Sequence, residues 1–139
     1  MTTEPQYSAL TDAERAWLME LTARAQSMGA SSDSPESIGL LFDSALAAVE
    51  QGHQPPEIGN DVVTVVAAAM GEYLRAKCGL EWRIVTDELG SDLCLYDAAS
   101  SYTLFPMSSV AKRWESHEKE WVVAFCEWAR VKVIGAPDQ

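Results

Sequence analysis

The sequence is short of positive charge. Its 139 residues contain 10 Lys and Arg against 21 Asp and Glu, which gives a formal net charge of −11. Residues 1–70 hold two bases and ten acids, whereas residues 71–139 hold eight bases and eleven acids. Duplex nucleic acids and anionic membrane surfaces bind proteins that present dense cationic faces. We therefore expect neither a nucleic-acid partner nor a membrane partner.

Cysteine and histidine are also scarce. The three cysteines, Cys78, Cys94 and Cys126, stand at wide spacings with no Cys-x-x-Cys pair, and the histidines are His53 and His117. An odd, scattered set argues against a disulfide framework and fits no zinc-ligand spacing. We expect a cytoplasmic protein that carries no metal and no other cofactor.

Long apolar runs are missing as well. The longest, residues 62–70, is about half the length that a membrane span needs. The N-terminal residues have no basic flank and no apolar core, so they do not resemble a signal peptide. With 47% hydrophobic residues and five tryptophans, the composition is that of a globular protein, and residues 1–139 are expected to form one domain.

The N-terminal half predicts two amphipathic helices. The stretch from Thr11 to Glu14 has the sequence of a capping box and should start the first helix. Ser34 and Pro35 suit the N-cap and first position of the second helix. We expect a helical pair over residues 11–60, preceded by a flexible N-terminus over residues 1–10.

Residues 61–133 predict a helix, a sheet and another helix. The segment that follows Asp61 is apolar on all sides and too long for a strand, which indicates a buried third helix. After Gly79 the hydrophobic period changes to two, with turns that separate three short strands of an antiparallel meander. A Trp-rich C-terminal helix, residues 108–133, follows, either continuous or interrupted near Ser116. The predicted fold class is α+β.

Three tryptophans of the last helix stand seven residues apart. In a continuous helix Trp114, Trp121 and Trp128 would line one face. Aromatic residues mostly pack cores, so an aromatic groove requires that at least one of these indoles be exposed. The residues expected to line a pocket between the sheet and the C-terminal helix are Tyr73, Trp82, Tyr96, Trp114 and Trp121.

Negative charge gathers in the helical part of the chain. No Lys or Arg occurs between Arg24 and Arg75. An acidic surface attracts and holds a basic protein partner. The candidate binding surface on the second helix and around it consists of Asp33, Glu36, Asp43, Glu50 and Glu57.

Residues that could carry out catalysis do not form a recognisable set. Nucleophilic catalysis requires a base held against the nucleophile. A hydrolase would need Cys94 or a serine within reach of His117. Buried cysteines more often act as small apolar residues, so no catalytic residue is predicted.

Part of the chain resembles a bacterial family known as domain of unknown function 3806. The matching features are a helix ending near residues 71–74, a strand opening on Trp82, an acidic turn over residues 87–93, and a Phe-Pro step into a helix that bears Val-x-Lys-Arg at residues 110–113. The resemblance covers residues 61–116 and leaves residues 1–60 outside. It implies a helix–meander–helix arrangement, and no activity is established for the family.

Two polar residues in the matching region are not explained by packing. Glu72 and Arg113 are therefore candidates for an ion pair with a functional or structural role. The other matching residues have structural interpretations: Gly71 permits close approach to the third helix, and Trp82 opens the buried face of the sheet.

These observations favour a small acidic cytosolic protein-binding module. In its most specific form it is an immunity- or antitoxin-like neutraliser of a basic protein partner. The alternative is a sensor domain that binds a small molecule or peptide between the sheet and the C-terminal helix, and a hydrolase ranks third. The sequence leaves the oligomeric state open.

Overall fold

The computed structural model describes residues 4–135, which form five helices and one four-stranded antiparallel sheet of order β1-β2-β3-β4. The strands are β1 (Gln6–Ala9), β2 (Glu81–Asp87), β3 (Gly90–Asp97) and β4 (Tyr102–Leu104). The helices are α1 (Asp12–Ser27), α2 (Pro35–Glu50), α3 (Ile58–Cys78), α4 (Pro106–Glu115) and α5 (Val122–Ile134). The predicted α+β class is correct.

The two N-terminal helices begin where their capping sequences predict. The Thr11 hydroxyl accepts a hydrogen bond from the Glu14 amide at 3.1 Å, and the Glu14 carboxylate accepts one from the Thr11 amide at 2.7 Å. At α2 the Ser34 hydroxyl accepts from the Ser37 amide at 3.2 Å. Each cap satisfies backbone donors that the first helical turn leaves unpaired.

Helix α3 forms the centre of the fold. Every residue from Val65 to Gly71 is buried, and α3 packs against α1, α2, α4 and α5. The helix begins one turn earlier than predicted, at Ile58, so Asp61 lies inside its first turn and binds Arg24 of α1. The sequence correctly predicts a buried central helix, because only a helix with partners on several sides can be apolar all round.

The sheet has one strand more than predicted. Gln6–Ala9 pairs antiparallel with residues 83–86 of β2, although residues 1–10 were expected to be flexible and the meander was expected to have three strands. A four-residue strand is too short to show a clear hydrophobic period. The partner edge that makes it a strand lies about 75 residues further along the chain, where Ser8 faces Ile84.

The single C-terminal helix of the prediction is two helices, α4 and α5, and the chain is interrupted at Ser116, the alternative that the sequence left open. Residues 116–121 form a linker in which His117 and Glu120 adopt positive φ angles of 56° and 60°. Carboxylates of α2 hold this linker. Glu50 binds His117 Nδ1 at 2.8 Å and also Lys119, and Asp43 accepts from the Glu120 amide at 3.2 Å.

None of the helices within residues 4–135 combines the length and the apolar character that crossing a membrane would require.

Candidate binding groove

An open groove of about 1000 Å³ lies between the outer edge of β4 and the helices α4 and α5. We call it the aromatic groove. Four consecutive residues, Tyr102–Phe105, line one side of it. Because successive side chains of a strand point to opposite faces, a cavity that borders all three residues of β4 reaches around the strand, as its place at the end of the sheet allows. The other lining residues are Asp92, Ser108, Ser109, Lys112, Arg113, Glu118, Glu120, Trp121, Ala124, Phe125 and Trp128.

Four aromatic rings form a continuous wall of the groove. Phe125 lies 5.8 Å from Trp121 and 5.7 Å from Trp128 between ring centroids, and Tyr102 lies 6.3 Å from Trp128. Trp121 is buried with 4% of its surface accessible, whereas Trp128 is 47% exposed. One indole therefore remains available to a ligand, as an aromatic groove requires. Trp114 lies elsewhere, because the linker separates it from α5.

A guanidinium group lies against this wall. The Cζ atom of Arg113 lies 4.8 Å from the Trp121 ring centroid and 5.1 Å from that of Phe125. Its Nη1 donates to the Ser109 carbonyl at 3.0 Å. Its Nε is buried without a hydrogen-bond partner among the described residues, and Glu118 Oε2 stands 3.6 Å away, too far for a hydrogen bond.

A second buried donor is unpaired beside it. Trp121 Nε1 also lacks a hydrogen-bond partner within residues 4–135. A buried donor without a partner costs roughly 1–3 kcal/mol. Two such donors beside one groove indicate that the groove suits an occupant with hydrogen-bond acceptors.

The predicted pocket residues do not share one cavity. Tyr73 is half-buried on α3, and Trp82 is buried against Gly71. Tyr96 stacks on Tyr7, with ring centroids 4.0 Å apart. Its partner in the ladder is Glu81, next to Trp82, so it lies on the opposite face of the sheet.

The two tryptophans of that set lie apart as well. Trp114 packs edge-on against Phe42 and beside Gly59, and of the five residues only Trp121 lines the aromatic groove. The prediction of one pocket formed by these five was wrong, because sequence spacing does not show which face of the sheet the helices cover.

The predicted ion pair between Glu72 and Arg113 was also wrong. Glu72 accepts hydrogen bonds from Arg75 Nε at 3.0 Å and from Trp82 Nε1 at 2.8 Å. Burial opposes the charged carboxylate, but these hydrogen bonds outweigh it and lower the pKa of Glu72. Glu72 instead forms an ion pair with Arg75 of its own helix, and Arg113 lies beside Glu118.

Two of the five candidate surface acids stabilise the fold internally. Asp43 and Glu50 hold the linker between α4 and α5, and hydrogen bonds from Lys119 and His117 lower the pKa of Glu50. Asp33, Glu36 and Glu57 are exposed. Asp33 and Glu36 lie at the start of α2, and Glu57 lies beyond its end at the start of α3, so the three do not form one compact patch.

His117 and Cys94, the histidine and cysteine named for a hydrolase, are not hydrogen-bonded to each other in residues 4–135. The His117 ring bonds to Glu50, and Cys94 is fully buried in β3, where burial raises the pKa of its thiol to about 11. A nucleophilic cysteine needs a lowered pKa. Within residues 4–135 no group of three or more His, Cys, Asp or Glu side chains is placed to hold a metal ion.

Trp121, Trp128 and Arg113 were singled out from the sequence, whereas several other groove residues were not. Phe125 and Trp128 follow Trp121 by four and seven residues, so their common helical face is visible in the sequence. Tyr102 gives no such signal, because its place beside Trp128 depends on how β4 packs against α5. Phe105, Lys112 and Arg113, which belong to the segment that carries the family resemblance, also line the groove.

Comparison with known proteins gives a family and a fold. The profile of a family described as Domain of unknown function (DUF3806) matches residues 42–125. This range extends the predicted resemblance in both directions and brings Asp43, Glu50 and Glu57 inside it. No curated protein matches the sequence.

One solved structure shares the fold. It is a crystal structure from Bacteroides thetaiotaomicron VPI-5482 at 1.50 Å resolution, with a TM-score of 0.68 and 13% sequence identity. The likeness covers 93% of this chain and 48% of that one, so the chain spans about half the length of the solved protein.

Proposed function

The chain belongs to the family described as Domain of unknown function (DUF3806), and we propose that it is a small acidic protein-binding module that takes an extended peptide segment of a partner into the aromatic groove. The segment adds to the outer edge of β4 and places an apolar side chain among Tyr102, Phe125 and Trp128. This joins the expected protein-binding role to the expected site between the sheet and the C-terminal helices.

The observation that carries the proposal is the position of the groove along a strand edge. β4 ends the sheet within the described residues, so its outer backbone groups have no strand partner there. Exposed edges of this kind bind extended peptides through main-chain hydrogen bonds, while neighbouring pockets select the side chains. The strand edge can pair with the main chain of a peptide, and the aromatic wall can receive its side chains.

The shape of the groove favours a peptide over a small molecule. Small-molecule sites are concave, bury most of the ligand and occupy roughly 300–1,000 Å³. The aromatic groove lies at the upper end of this range, at about 1000 Å³, and is open to solvent rather than enclosed. A small-molecule sensor therefore ranks below a peptide-binding module.

The charge of the chain supports a basic partner protein. A net charge of −11 attracts basic proteins and speeds their encounter. Exposed Asp33, Glu36 and Glu57 contribute to this field. An immunity- or antitoxin-like neutraliser of a basic enzyme is the specific form of this proposal, and three buried free cysteines suit a cytoplasmic location.

The test is selection from a displayed library of random linear peptides, followed by calorimetric measurement of the selected peptides. Trp128→Ala should weaken binding at least about tenfold, because an exposed tryptophan in a groove is a typical binding hot spot. Val123→Ala is the matched control. Val123 is on the same helix and is also 47% exposed, but it does not line the groove.

N-methylation of successive peptide amides tests the strand pairing. Methylation at alternate positions should abolish binding, because alternate amides of an added strand donate to the partner strand. Peptides that bind the wild type and Trp128→Ala equally would contradict the proposed site. Equal tolerance of methylation at every position would contradict addition to β4.

A further inference from the structure

We infer that the aromatic groove selects a segment that carries a carboxylate beside an aromatic or apolar residue, and that Arg113 binds this carboxylate. The inference rests on the proposed function and specifies the chemistry of the peptide. It concerns the end of the groove formed by α4 and the linker, next to the aromatic wall.

Two unpaired hydrogen-bond donors suit a carboxylate as the acceptor. Within residues 4–135, Arg113 Nε and Trp121 Nε1 are buried without hydrogen-bond partners, and the guanidinium lies over the Trp121 ring. The Trp121 and Phe125 rings hold the guanidinium in place, and its Nη1 is bonded to the Ser109 carbonyl, so Nε is the donor that a carboxylate would satisfy. Planar, two-point binding of a carboxylate is the arrangement that arginine favours.

The surroundings of Arg113 add further donors. Lys112 precedes it and is exposed, and Ser108 and Ser109 of the first turn of α4 also line the groove. The serine hydroxyls can donate hydrogen bonds to an acceptor in the groove, and the Lys112 ammonium adds positive charge.

The overall negative charge does not prevent this selection. Charges on the surface are screened over about 8 Å at physiological ionic strength. The net charge of −11 therefore acts on the approach of the whole partner, whereas contacts within the groove decide which segment binds. A basic partner protein with an acidic residue in its docking segment satisfies both the attraction of the whole partner and the contacts within the groove.

Three carboxylates of this chain line the groove, those of Asp92, Glu118 and Glu120, and Glu118 forms an ion pair with Arg113 and competes for the same position. The Glu118 carboxylate lies 3.6 Å from Arg113 Nε, belongs to the linker between α4 and α5, and is half-exposed. It is close enough to neutralise part of the charge of Arg113 but too distant to satisfy its donor. A peptide carboxylate would displace it and make the hydrogen bond that Glu118 does not make.

The test uses two probes that differ only in charge, N-acetyltryptophan and N-acetyltryptophanamide. Titration into the ¹⁵N-labelled chain is followed by NMR at the side-chain N–H signals of Arg113 and Trp121. The acid should shift both signals and bind about tenfold more tightly than the amide, as expected for a hydrogen bond to a charged group.

Variants separate the local site from general charge effects. Glu118→Gln should tighten binding of N-acetyltryptophan about threefold, because it removes the competing carboxylate. Glu115→Gln, outside the groove, makes the same charge change and should leave binding unchanged. Arg113→Lys should lose most of the preference for the acid while keeping the charge, since lysine cannot present a planar fork.

The outcomes distinguish this inference from the proposed function. Equal binding of the acid and the amide, or no shift with the acid, would overturn the carboxylate site. Equal tightening by Glu118→Gln and Glu115→Gln would also overturn it. In each case a library peptide whose binding is lost in Trp128→Ala would still support peptide binding in the groove. If no such peptide is found, the proposed function and the peptide selectivity inferred from it are both refuted, even where N-acetyltryptophan binds at Arg113.

Discussion

The Trp82 indole of β2 lies across Gly71 of α3 so closely that a side chain at residue 71 would overlap it. A Cβ atom at Gly71 would fall well inside the 3.0 Å that Cβ contacts do not cross, with the atoms of the six-membered ring nearest. The indole Nε1 also donates to Glu72 of the same helix. This contact holds β2, and with it the sheet that carries β4, against the central helix.

Gly71→Ala should therefore destabilise the protein. We expect a net loss of about 1–3 kcal/mol, because the overlap outweighs the better helix propensity of alanine. Urea unfolding measures the change. Gly39→Ala is the control: a Cβ at this position of α2 would lie 3.5 Å from Val122 Cβ, an ordinary contact. It should stabilise by about 0.5–1 kcal/mol, and equal destabilisation by both variants would contradict the packing described.

Glu72→Gln should weaken the contact between α3 and β2 by removing a charge rather than by changing a volume. Hydrogen bonds from Arg75 and Trp82 outweigh burial and lower the pKa of Glu72 from 4.5. Its contribution is therefore complete above pH 4.5 and is lost as the pH falls through the lowered pKa. We expect a loss of about 1 kcal/mol at neutral pH, since the amide oxygen can accept the same hydrogen bonds but lacks the negative charge that attracts Arg75.

Unfolding free energies measured across an acid pH series test this expectation. The variant should lose less stability than the wild type on acidification below pH 4.5, because it lacks the carboxylate that titrates. Parallel pH curves for the two proteins would show that Glu72 is not the titrating group.

Glu50→Gln should loosen the linker between α4 and α5. Hydrogen bonds from Lys119 and His117 lower the pKa of Glu50 from 4.5, so acidification below this value should have the same effect on the wild type. Hydrogen exchange of the amides of residues 116–121 should accelerate in the variant at neutral pH. Glu127→Gln provides the comparison, because Glu127 is also paired with a base, Arg130, but within a single helix. Equal exchange of the linker amides in the two variants would refute the role of Glu50.

The three thiols should be unreactive in the folded protein. Burial raises the pKa of Cys126 to about 12 and that of Cys94 to about 11, and it also raises the pKa of Cys78. Reaction with Ellman's reagent requires a thiolate and access. At pH 8 we expect colour to develop only at the rate of unfolding, with all three thiols reacting at once in concentrated urea. A thiol that reacts within the mixing time under native conditions would contradict their burial.

Local sequence signals determined most of the secondary structure. The capping box at Thr11, the Ser34-Pro35 start and the apolar length of α3 each specify a helix through hydrogen bonds and burial within a short segment. The period of two after Gly79 likewise specifies β2 and β3. The composition and the net charge come directly from the sequence, and the expectation of a basic protein partner rests on them.

Only the tertiary structure decided which of these residues meet. β1 is a strand because it lies beside β2, far away in the sequence. Trp114, Trp121 and Trp128 share a period of seven, yet the contacts of Glu50 and Asp43 hold a linker that separates the first from the other two. The groove needs the edge of β4, the stacked Arg113 and the exposed Trp128 together. A helical or strand period describes one element at a time, whereas the packing of separate elements fixes such a site.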